Sequence, residues 1–320
     1  MIREAGGPEV LKLERTPVPK PEPGQVLIRV KAFGLNRSEL FTRQGHSPSV
    51  RFPRVLGIEA VGLVEESPDG AFQEDEVVAT AMGGMGRMFD GGYAEYTCVP
   101  ASQVQSLTTR LDWATLGAAP EMLQTAWGSL SAALSLQEGE TLLIRGGTSS
   151  VGLAAAAIAR KQGAKVAATT RKPKRETLLK DNGAEQVFID SGEIAETVRA
   201  AYSGGVDKVL ELVGTTTLLD SLRAARRGGI VCMTGIVGGQ WTLESFSPMT
   251  AIPTGVCLTS YSGGAEDFMR TPLQALVEQI EAGTLSIAIG RTFGLSEIVE
   301  AHRCMEADEA GGKIVVLTEG

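Results

Sequence analysis

Cysteine is scarce in this sequence of 320 residues, which contains only Cys98, Cys232, Cys257 and Cys304. These residues are far apart and form no Cys-x-x-Cys pair, which argues against a disulfide framework and indicates reduced, mostly buried thiols. The sequence also lacks an apolar signal stretch at its start and any run of about 18 apolar residues, so it predicts no membrane span. We therefore expect a soluble, cytoplasmic protein.

Positive charge is in the minority, since 30 Lys and Arg face 38 Asp and Glu for a net charge of −8. No long basic run occurs, which argues against nucleic acid or an anionic membrane as a partner. An acidic protein that binds a polyanionic cofactor must concentrate its basic residues locally. The sequence should therefore contain one basic cluster if it binds such a cofactor.

Two parts of the chain differ in pattern. The first hundred residues consist of short β-branched runs and turns, such as Val26–Ala32 and Ala60–Glu65, with a helical pattern only around Asn36–Arg43. From Thr141, apolar runs alternate with amphipathic stretches, including a possible helix at Leu243–Ala251, which predicts a doubly wound parallel sheet. Six predicted strands match a complete dinucleotide-binding Rossmann domain. They are Thr141–Arg145, Lys165–Thr169, Gln186–Ile189, Lys208–Leu212, Ile230–Thr234 and Val256–Thr259.

A glycine-rich turn follows the first of these strands. Gly147-x-Ser149-x-x-Gly152 has the spacing of the fingerprint G-x-G-x-x-G, with serine in the middle position. Gly147 permits the tight turn, and Gly152 permits close packing of helix on strand. Ser150 and Val151 open a helix whose N–H groups and dipole attract a pyrophosphate. We predict a dinucleotide here, with the Ser149 hydroxyl able to bind phosphate; the alternative is a tight turn without a ligand.

Basic residues gather at the end of the second strand of this domain. An NAD-specific fold places an acidic residue there to bind the ribose 2′-OH, whereas here four of the five residues from 171 to 175 are Lys or Arg. Arginine forms charge-assisted, often bidentate hydrogen bonds with a 2′-phosphate. We therefore predict NADPH rather than NADH, bound through Thr170, Arg171, Lys174 and Arg175.

Four motifs, in order along nearly the whole chain, resemble the medium-chain dehydrogenase/reductase superfamily, and in particular its zinc-free, ζ-crystallin-like quinone oxidoreductases. They are Phe33–Gly45, Pro53–Gly62, Gly91–Tyr96 and Gly311–Val315. The resemblance implies an α/β protein in which a Rossmann domain is combined with a GroES-like, β-rich domain formed by both chain termini. We place the GroES-like domain at residues 1–117 and 262–320 and the Rossmann domain at residues 118–261.

The departures from the zinc dehydrogenases of this superfamily concern the metal. Asn36 and Ile58 stand where those enzymes have Cys and His, and the third ligand position falls near Glu121. Zinc needs sulfur, imidazole or carboxylate donors, so the sequence predicts no metal site. The resemblance implies a catalytic role for Asn36, as a hydrogen-bond donor to a substrate oxygen. Arg43 either lines the same cleft or braces the loop.

Further cofactor contacts follow from the resemblance and from strand ends. Thr125 lies in a stretch that approaches the nicotinamide in the family, although it could equally be a packing residue. Val213, Gly214 and Gly235 follow strands at the carboxyl edge, where such sheets bind ligands. The glycine- and methionine-rich segment Met82–Phe89 forms either an adaptable pocket wall or a plain linker.

These observations predict an NADPH-dependent oxidoreductase that reduces a quinone or an enone, a small-molecule substrate. Two alternatives remain open at this point. One is a medium-chain enoyl-thioester reductase, and the other is a non-catalytic NADPH-binding structural protein. The resemblance also implies a homodimer paired through the last Rossmann strand, Val256–Thr259.

Overall fold

The computed structural model describes residues 1–47 and 49–319, and it divides into two compact units. The first unit contains Met1–Gln124, Gly263–Thr284 and the chain from Ile289 onward; the second contains Thr125–Ser262 and Leu285–Ala288. The boundaries differ from the predicted ones. Residues 118–124 belong to the first unit, and a short return of the chain near residue 285 belongs to the second.

The strands of the described residues fall into two sheets. Their bounds are β1 Gln25–Gly34, β2 Glu59–Glu66, β3 Val77–Ala81, β4 Tyr96–Pro100, β5 Val104–Ser106, β6 Thr141–Arg145, β7 Lys165–Thr170, β8 Gln186–Ile189, β9 Val206–Glu211, β10 Ala225–Met233, β11 Cys257–Ser260, β12 Ile289–Gly294 and β13 Lys313–Leu317.

The helices are short, and most of them follow a strand. Their bounds are α1 Arg37–Arg43, α2 Trp113–Gly117, α3 Pro120–Gly128, α4 Ser150–Lys161, α5 Glu176–Asp181, α6 Ala195–Ala201, α7 Thr215–Ala224, α8 Pro248–Ala251, α9 Ala265–Arg270, α10 Leu273–Glu281 and α11 Ile298–Glu306. Among the described residues no helix is long and apolar enough to cross a membrane.

The first unit is built around a seven-stranded sheet in the order β12-β13-β1-β2-β3-β5, with β4 also paired to β1. β1 lies antiparallel to β2, β4 and β13, so the strand near the end of the chain completes the sheet begun near its start. Phe33, Val64 and Val316 lie in the core of this unit and have no exposed surface. Because β13 pairs with Ala32–Gly34, it lies beside the segment that leads into α1.

The second unit contains a six-stranded sheet in the order β11-β10-β9-β6-β7-β8, and every pairing in it is parallel. Parallel strands need crossover connections, which the helices α4 to α7 supply. The order reverses direction between β6 and β9, and sheets of this kind bind ligands beyond the carboxyl ends of the strands at such a point. The predicted Rossmann arrangement is confirmed.

Two local predictions are corrected by the structure. Of the possible helix at Leu243–Ala251, only the turn α8 at Pro248–Ala251 is helical, because Pro248 supports helix initiation at the first position and not within a helix. The first unit also contains β12 and α9, which the sequence pattern did not reveal. β12 includes two glycines and two exposed polar residues, so it lacks a clear apolar alternation.

Candidate functional site

The glycine-rich turn of the second unit requires glycine for two different reasons. Gly146 has φ +79°, which is the left-handed region that favours glycine. A Cβ added at Gly152 would lie 2.7 Å from the carbonyl oxygen of Gly147, and one added at Gly147 would lie 2.9 Å from Ala168 Cβ. The backbone of the turn therefore packs directly against α4 and β7, leaving no room for side chains.

Ser149 is the N-cap of α4, and its hydroxyl serves the turn itself. Its Oγ accepts a hydrogen bond from the N–H of Gly152 at 3.1 Å and donates one to the carbonyl of Gly146 at 2.9 Å. The hydroxyl proton is thus directed to the turn itself, and the role of Ser149 as a phosphate ligand stays a prediction. The N–H groups of Ser150 and Val151 lie in the first turn of α4 and have no earlier helical carbonyl to bind. These two residues are the better candidates for anion binding.

The basic segment after β7 lies against this turn. Thr170 is buried, and its hydroxyl accepts a hydrogen bond from the N–H of Lys172 at 3.1 Å, which shapes the bend. Arg175 reaches the Thr148 hydroxyl with its Nη1 at 3.5 Å, so the segment is joined to the loop between β6 and α4. Arg171 and Lys174 are exposed. Among the described residues, neither has a carboxylate within ion-pair distance.

Glu211 lies at the end of β9, the strand next to β6, and binds the backbone that follows it. Its buried carboxylate accepts hydrogen bonds from the N–H groups of Val213 at 2.7 Å and Gly214 at 2.9 Å. Burial raises the pKa of this carboxyl group. A Cβ added at Gly235 would lie 2.5 Å from the carbonyl oxygen of Leu212. Because Glu211 occupies both N–H groups, Val213 and Gly214 can contact a cofactor only through their other atoms.

A second group of polar residues lies in the first unit, where α1 begins. Asn36 is the N-cap of this helix, and Glu39 accepts a hydrogen bond from its backbone N–H at 3.1 Å. The side-chain Nδ2 of Asn36 donates to Glu59 Oε1 at 2.9 Å and more weakly to Glu39 at 3.4 Å. Its Oδ1 accepts a hydrogen bond from Lys313. The amide of Asn36 is therefore fully engaged by its neighbours.

Lys313 is the cation of this group, and it comes from β13. Its ammonium nitrogen lies 2.8 Å from Glu59 Oε1 and 3.5 Å from Glu121 Oε2, and both Lys313 and Glu59 are buried. The other oxygen of Glu59 accepts a hydrogen bond from the N–H of Glu121 at 2.8 Å. Although burial alone lowers it, the carboxylates of Glu59 and Glu121 raise the pKa of Lys313 above its ordinary value. Lys313 is therefore charged at neutral pH.

Glu39 is a buried glutamate whose pKa lies well above that of an exposed glutamate. Burial raises its pKa to about 7, although the N–H of Ile58 donates to it at 3.0 Å and opposes the shift. Like-charge repulsion from Glu59 adds to the rise. Near neutral pH Lys313 is thus an ammonium, and Glu39 is about half protonated.

This geometry changes the roles predicted for Asn36 and Arg43. Asn36 is 9% exposed and its amide hydrogens face carboxylates, so a substrate oxygen would have to compete with Glu59 for them. Arg43 is 0% exposed and binds the carbonyl of Gly6 and the carboxylate of Glu306. Of the two roles considered for Arg43, the structure supports the brace and contradicts the cleft residue.

A zinc site does not fit this arrangement. Ile58 is 3% exposed and has no donor atom in its side chain, while Asn36 is held by Glu59 and Lys313. The ammonium of Lys313 already provides the positive charge beside Glu59. Within the described part of the chain, no group of three or more His, Cys, Asp or Glu residues could hold a metal ion.

Comparison with known proteins identifies the family. The alcohol dehydrogenase GroES-like domain matches residues 22–109, and the zinc-binding dehydrogenase model matches residues 182–316. The sequence is 31% identical to the quinone oxidoreductase of Lama guanicoe over 323 residues, which cover 99% of this chain and 96% of the relative. The chain belongs to the quinone oxidoreductase family. The human quinone oxidoreductase is also 31% identical, over 326 residues and with the same coverage.

Solved structures agree with this assignment. A mycobacterial protein whose structure was determined in complex with NADPH superposes with a TM-score of 0.87 and 28% sequence identity, covering 99% of this chain and 98% of the other. The predicted membership of the medium-chain dehydrogenase/reductase superfamily is confirmed. The matched zinc-binding model describes a wider group of dehydrogenases, and Ile58 shows that this member of the quinone oxidoreductase family lacks a donor at one of their ligand positions.

Sequence reasoning missed Lys313 and Glu211 as members of these sites. The motif containing Lys313 was recognised only as a strand, and Glu211 was not singled out. Lys313 begins the otherwise apolar strand KIVVL, and Glu211 ends the strand VDKVLE directly after the buried residues Val209 and Leu210. A charged residue in a buried strand must be paired, and that rule could have identified both.

Proposed function

We propose that this member of the quinone oxidoreductase family is a zinc-independent reductase that uses NADPH to reduce a quinone or the activated C=C bond of an α,β-unsaturated carbonyl compound. The observation that carries the proposal is that Arg171 and Lys174, after β7, are exposed and form no ion pair within the part of the chain that the structure describes. That arrangement suits a dinucleotide with an additional phosphate. The NADPH complex of the mycobacterial protein supports the same choice.

The residues of the second unit fit NADPH chemically. Ser150 and Val151 offer backbone N–H groups at the start of α4, and Gly147 and Gly152 leave the turn free of side chains, as close approach of a pyrophosphate requires. Arg171, with Lys174 and Arg175, would hold the 2′-phosphate beyond the end of β7. Thr125, Val213, Gly214 and Gly235 remain proposed contacts of the nicotinamide half.

The proposed reaction class follows from the electrophiles that the site can reduce without a metal ion. NADPH supplies a hydride when bound. An alcohol must lose a proton as hydride leaves, and zinc enzymes assist that loss by coordinating the oxygen. Ile58 cannot coordinate. A quinone or enone is already electrophilic, and needs only a hydride followed by a proton that solvent can deliver.

Asn36 has a place in this proposal as a positioning residue. It caps α1 and joins Glu39, Glu59 and Lys313 into one network, so it fixes the start of the helix in place. We propose that the acceptor binds near this helix start. Replacing Asn36 with Ala should therefore lower turnover while leaving the Kd for NADPH nearly unchanged.

The direct test is a panel of quinones and enones, with oxidation of NADPH followed by absorbance. We expect turnover with at least one quinone or enone and little oxidation of ethanol or benzyl alcohol with NADP⁺. Turnover confined to α,β-unsaturated acyl-CoA thioesters would indicate an enoyl-thioester reductase instead. Tight NADPH binding with no turnover of any acceptor would favour the non-catalytic alternative.

Metal content provides an independent test. Because Ile58 has no donor and Asn36 is bound to Glu59 and Lys313, we expect purified protein to contain much less than one zinc per chain and to remain active in chelator. Elemental analysis and activity after dialysis against EDTA measure both. About one zinc per chain, lost together with activity, would contradict the proposal.

We further propose a homodimer and a cytoplasmic location. β11 is the edge strand of the second sheet, and Cys257 and Ser260 on it are exposed, so it could pair with a second copy. Light scattering after size-exclusion chromatography would measure the mass. All four cysteines are free, which suits a reducing compartment, and fractionation of the native cells would test the location.

A further inference from the structure

Arg87 lies in the glycine- and methionine-rich loop of the first unit, and nothing in the proposed reaction uses it. Its Nη2 donates a hydrogen bond to the Ser38 hydroxyl, on the first turn of α1. Its Nε has essentially no exposed surface and no hydrogen-bond partner. The guanidinium is thus half-buried and held at the helix start that Asn36 caps.

The charge of Arg87 is exceptional among similar arginines. Arg29, Arg43 and Arg54 also have a buried Nε without a hydrogen-bond partner, but each forms an ion pair through Nη1 or Nη2. Their partners are Asp75, Glu306 and Asp90 respectively. Arg87 forms no ion pair with any carboxylate in the described residues. A partly buried cation without a counter-ion is costly, and a bound anion would remove that cost.

The loop holds Arg87 in a defined place and is not a plain linker. The N–H of Met82 binds the carbonyl of Ile58 at 2.7 Å, and that of Met88 binds the carbonyl of Gly84 at 2.7 Å. Gly86 has φ +72°, and a Cβ there would lie 2.6 Å from the carbonyl oxygen of Gly57. The backbone on either side of Arg87 is therefore fixed by hydrogen bonds and close contact, while Met88 is 76% exposed.

We propose that Arg87 is a specificity-determining residue that binds a carboxylate carried by the acceptor, so that the preferred substrates are anionic quinones or enones. Arginine presents paired N–H groups that match a carboxylate. Nη1 is not used by Ser38, and it faces no competing acid in the described chain. The exposed, flexible side chain of Met88 can adapt to the apolar part of such a ligand. This inference rests on the proposed reduction of an acceptor near α1.

The test compares two acceptors with the same quinone ring, 3-(1,4-benzoquinonyl)propionate and its methyl ester. For Arg87→Gln we expect the KM for the propionate to rise about tenfold to 150-fold, the range for a lost charge-assisted hydrogen bond. The KM for the ester and the Kd for NADPH should stay within about twofold of wild type. Arg87→Lys should retain part of the preference, because it keeps the charge without the paired donors. Arg15→Gln, at an exposed arginine, is the control for net charge.

Two results would overturn the inference. One is an equal change, or no change, for propionate and ester in Arg87→Gln; the other is a weakened Kd for NADPH, which would assign Arg87 to a cofactor phosphate. Failure of the proposed function is seen separately, as absence of ester turnover in wild-type protein. In that case calorimetric binding of the propionate and the ester to wild type and Arg87→Gln still decides the role of Arg87.

Discussion

The start of α1 and the start of α4 use polar groups in opposite ways. At α1, Asn36, Glu39, Glu59 and Lys313 satisfy one another in a buried network. Before α4, the glycines leave the turn free of side chains, and Arg171 and Lys174 after β7 are exposed with no carboxylate partner among the described residues. The first arrangement is closed and the second is open.

The difference teaches what each helix start can bind. The polar groups of a closed network are already paired with one another, so they fix geometry and leave ligand binding to residues outside the network, such as Arg87. An open turn with unpaired N–H groups and nearby cations gains its partners only when an anion arrives. Changes in the network at α1 should therefore affect stability and, through the position of the helix start, turnover. Changes at the turn before α4 should affect cofactor affinity.

The largest expected effect follows from removing Lys313, the cation of the closed network. Lys313→Ala leaves Glu59 buried without its counter-ion, which should reduce the free energy of unfolding by about 3–5 kcal/mol. Denaturant unfolding followed by circular dichroism measures it. The control is Lys180→Ala, because the exposed pair of Lys180 with Glu176 should contribute only about 0.3–0.5 kcal/mol. Adding Glu59→Gln to Lys313→Ala should recover part of the loss.

The second prediction concerns pH and Glu39. Its folded pKa of about 7 lies above the ordinary value of 4.5, so the folded state binds the proton more tightly than the unfolded state. Its contribution to stability is full below pH 4.5 and is lost as pH rises through about 7, by up to about 3 kcal/mol at about 1.4 kcal/mol per pH unit.

Glu39→Gln removes this titration. The free energy of unfolding of wild type minus that of the variant should therefore fall between pH 4.5 and 7 and be flat above about pH 8. Urea unfolding across that range measures the difference, with Glu9→Gln, at an exposed glutamate, as the control. A difference that stays constant with pH would mean that Glu39 is ionised throughout.

The third prediction tests the open site. Arg171→Ala or Arg175→Ala should weaken NADPH binding by about 1.5–3 kcal/mol, or about tenfold to 150-fold, and leave NADH nearly unchanged. Fluorescence titration with both cofactors measures it. Lys165→Ala is a matched control, because Lys165 is an exposed basic residue at the opposite end of the same strand β7. Equal losses for NADPH and NADH would count against a 2′-phosphate role.

The smallest expected effect distinguishes the role of Ser149 in capping α4 from a role in binding NADPH. Ser149→Ala removes the cap of α4 and should cost about 1 kcal/mol of stability, whereas Ser149→Gly should cost only a few tenths. Because the Ser149 proton is bound to the Gly146 carbonyl, the Kd for NADPH should change less than threefold in both variants. A tenfold loss of NADPH affinity would instead support Ser149 as a phosphate ligand.

Local pattern predicted the second unit better than the first. Strands such as Thr141–Arg145 and Gln186–Ile189 were located to the residue, because apolar runs bounded by glycine and polar turns have few other folds available. In the first unit, α1 was predicted, but β12 was not, since its pattern has no clear alternation. The roles of Asn36 and Arg43 depended on neighbours far away in the chain, and sequence could not supply these.

The sequence alone determined the class of fold, the glycine-rich turn and the basic segment after β7, because these depend on residue types a few positions apart. It also determined that position 58 has no metal donor. Only the tertiary structure decided that Lys313 reaches Asn36 and Glu59, and that the buried Arg43 forms an ion pair with Glu306 and so braces the loop. It likewise decided that Arg87 is left without a carboxylate in the described chain. The first two depend on side chains 277 and 263 positions apart, which the pairing of β13 with β1 and the position of α11 bring together. The third depends on how the loop of Arg87 lies against α1. Local pattern encodes none of these contacts.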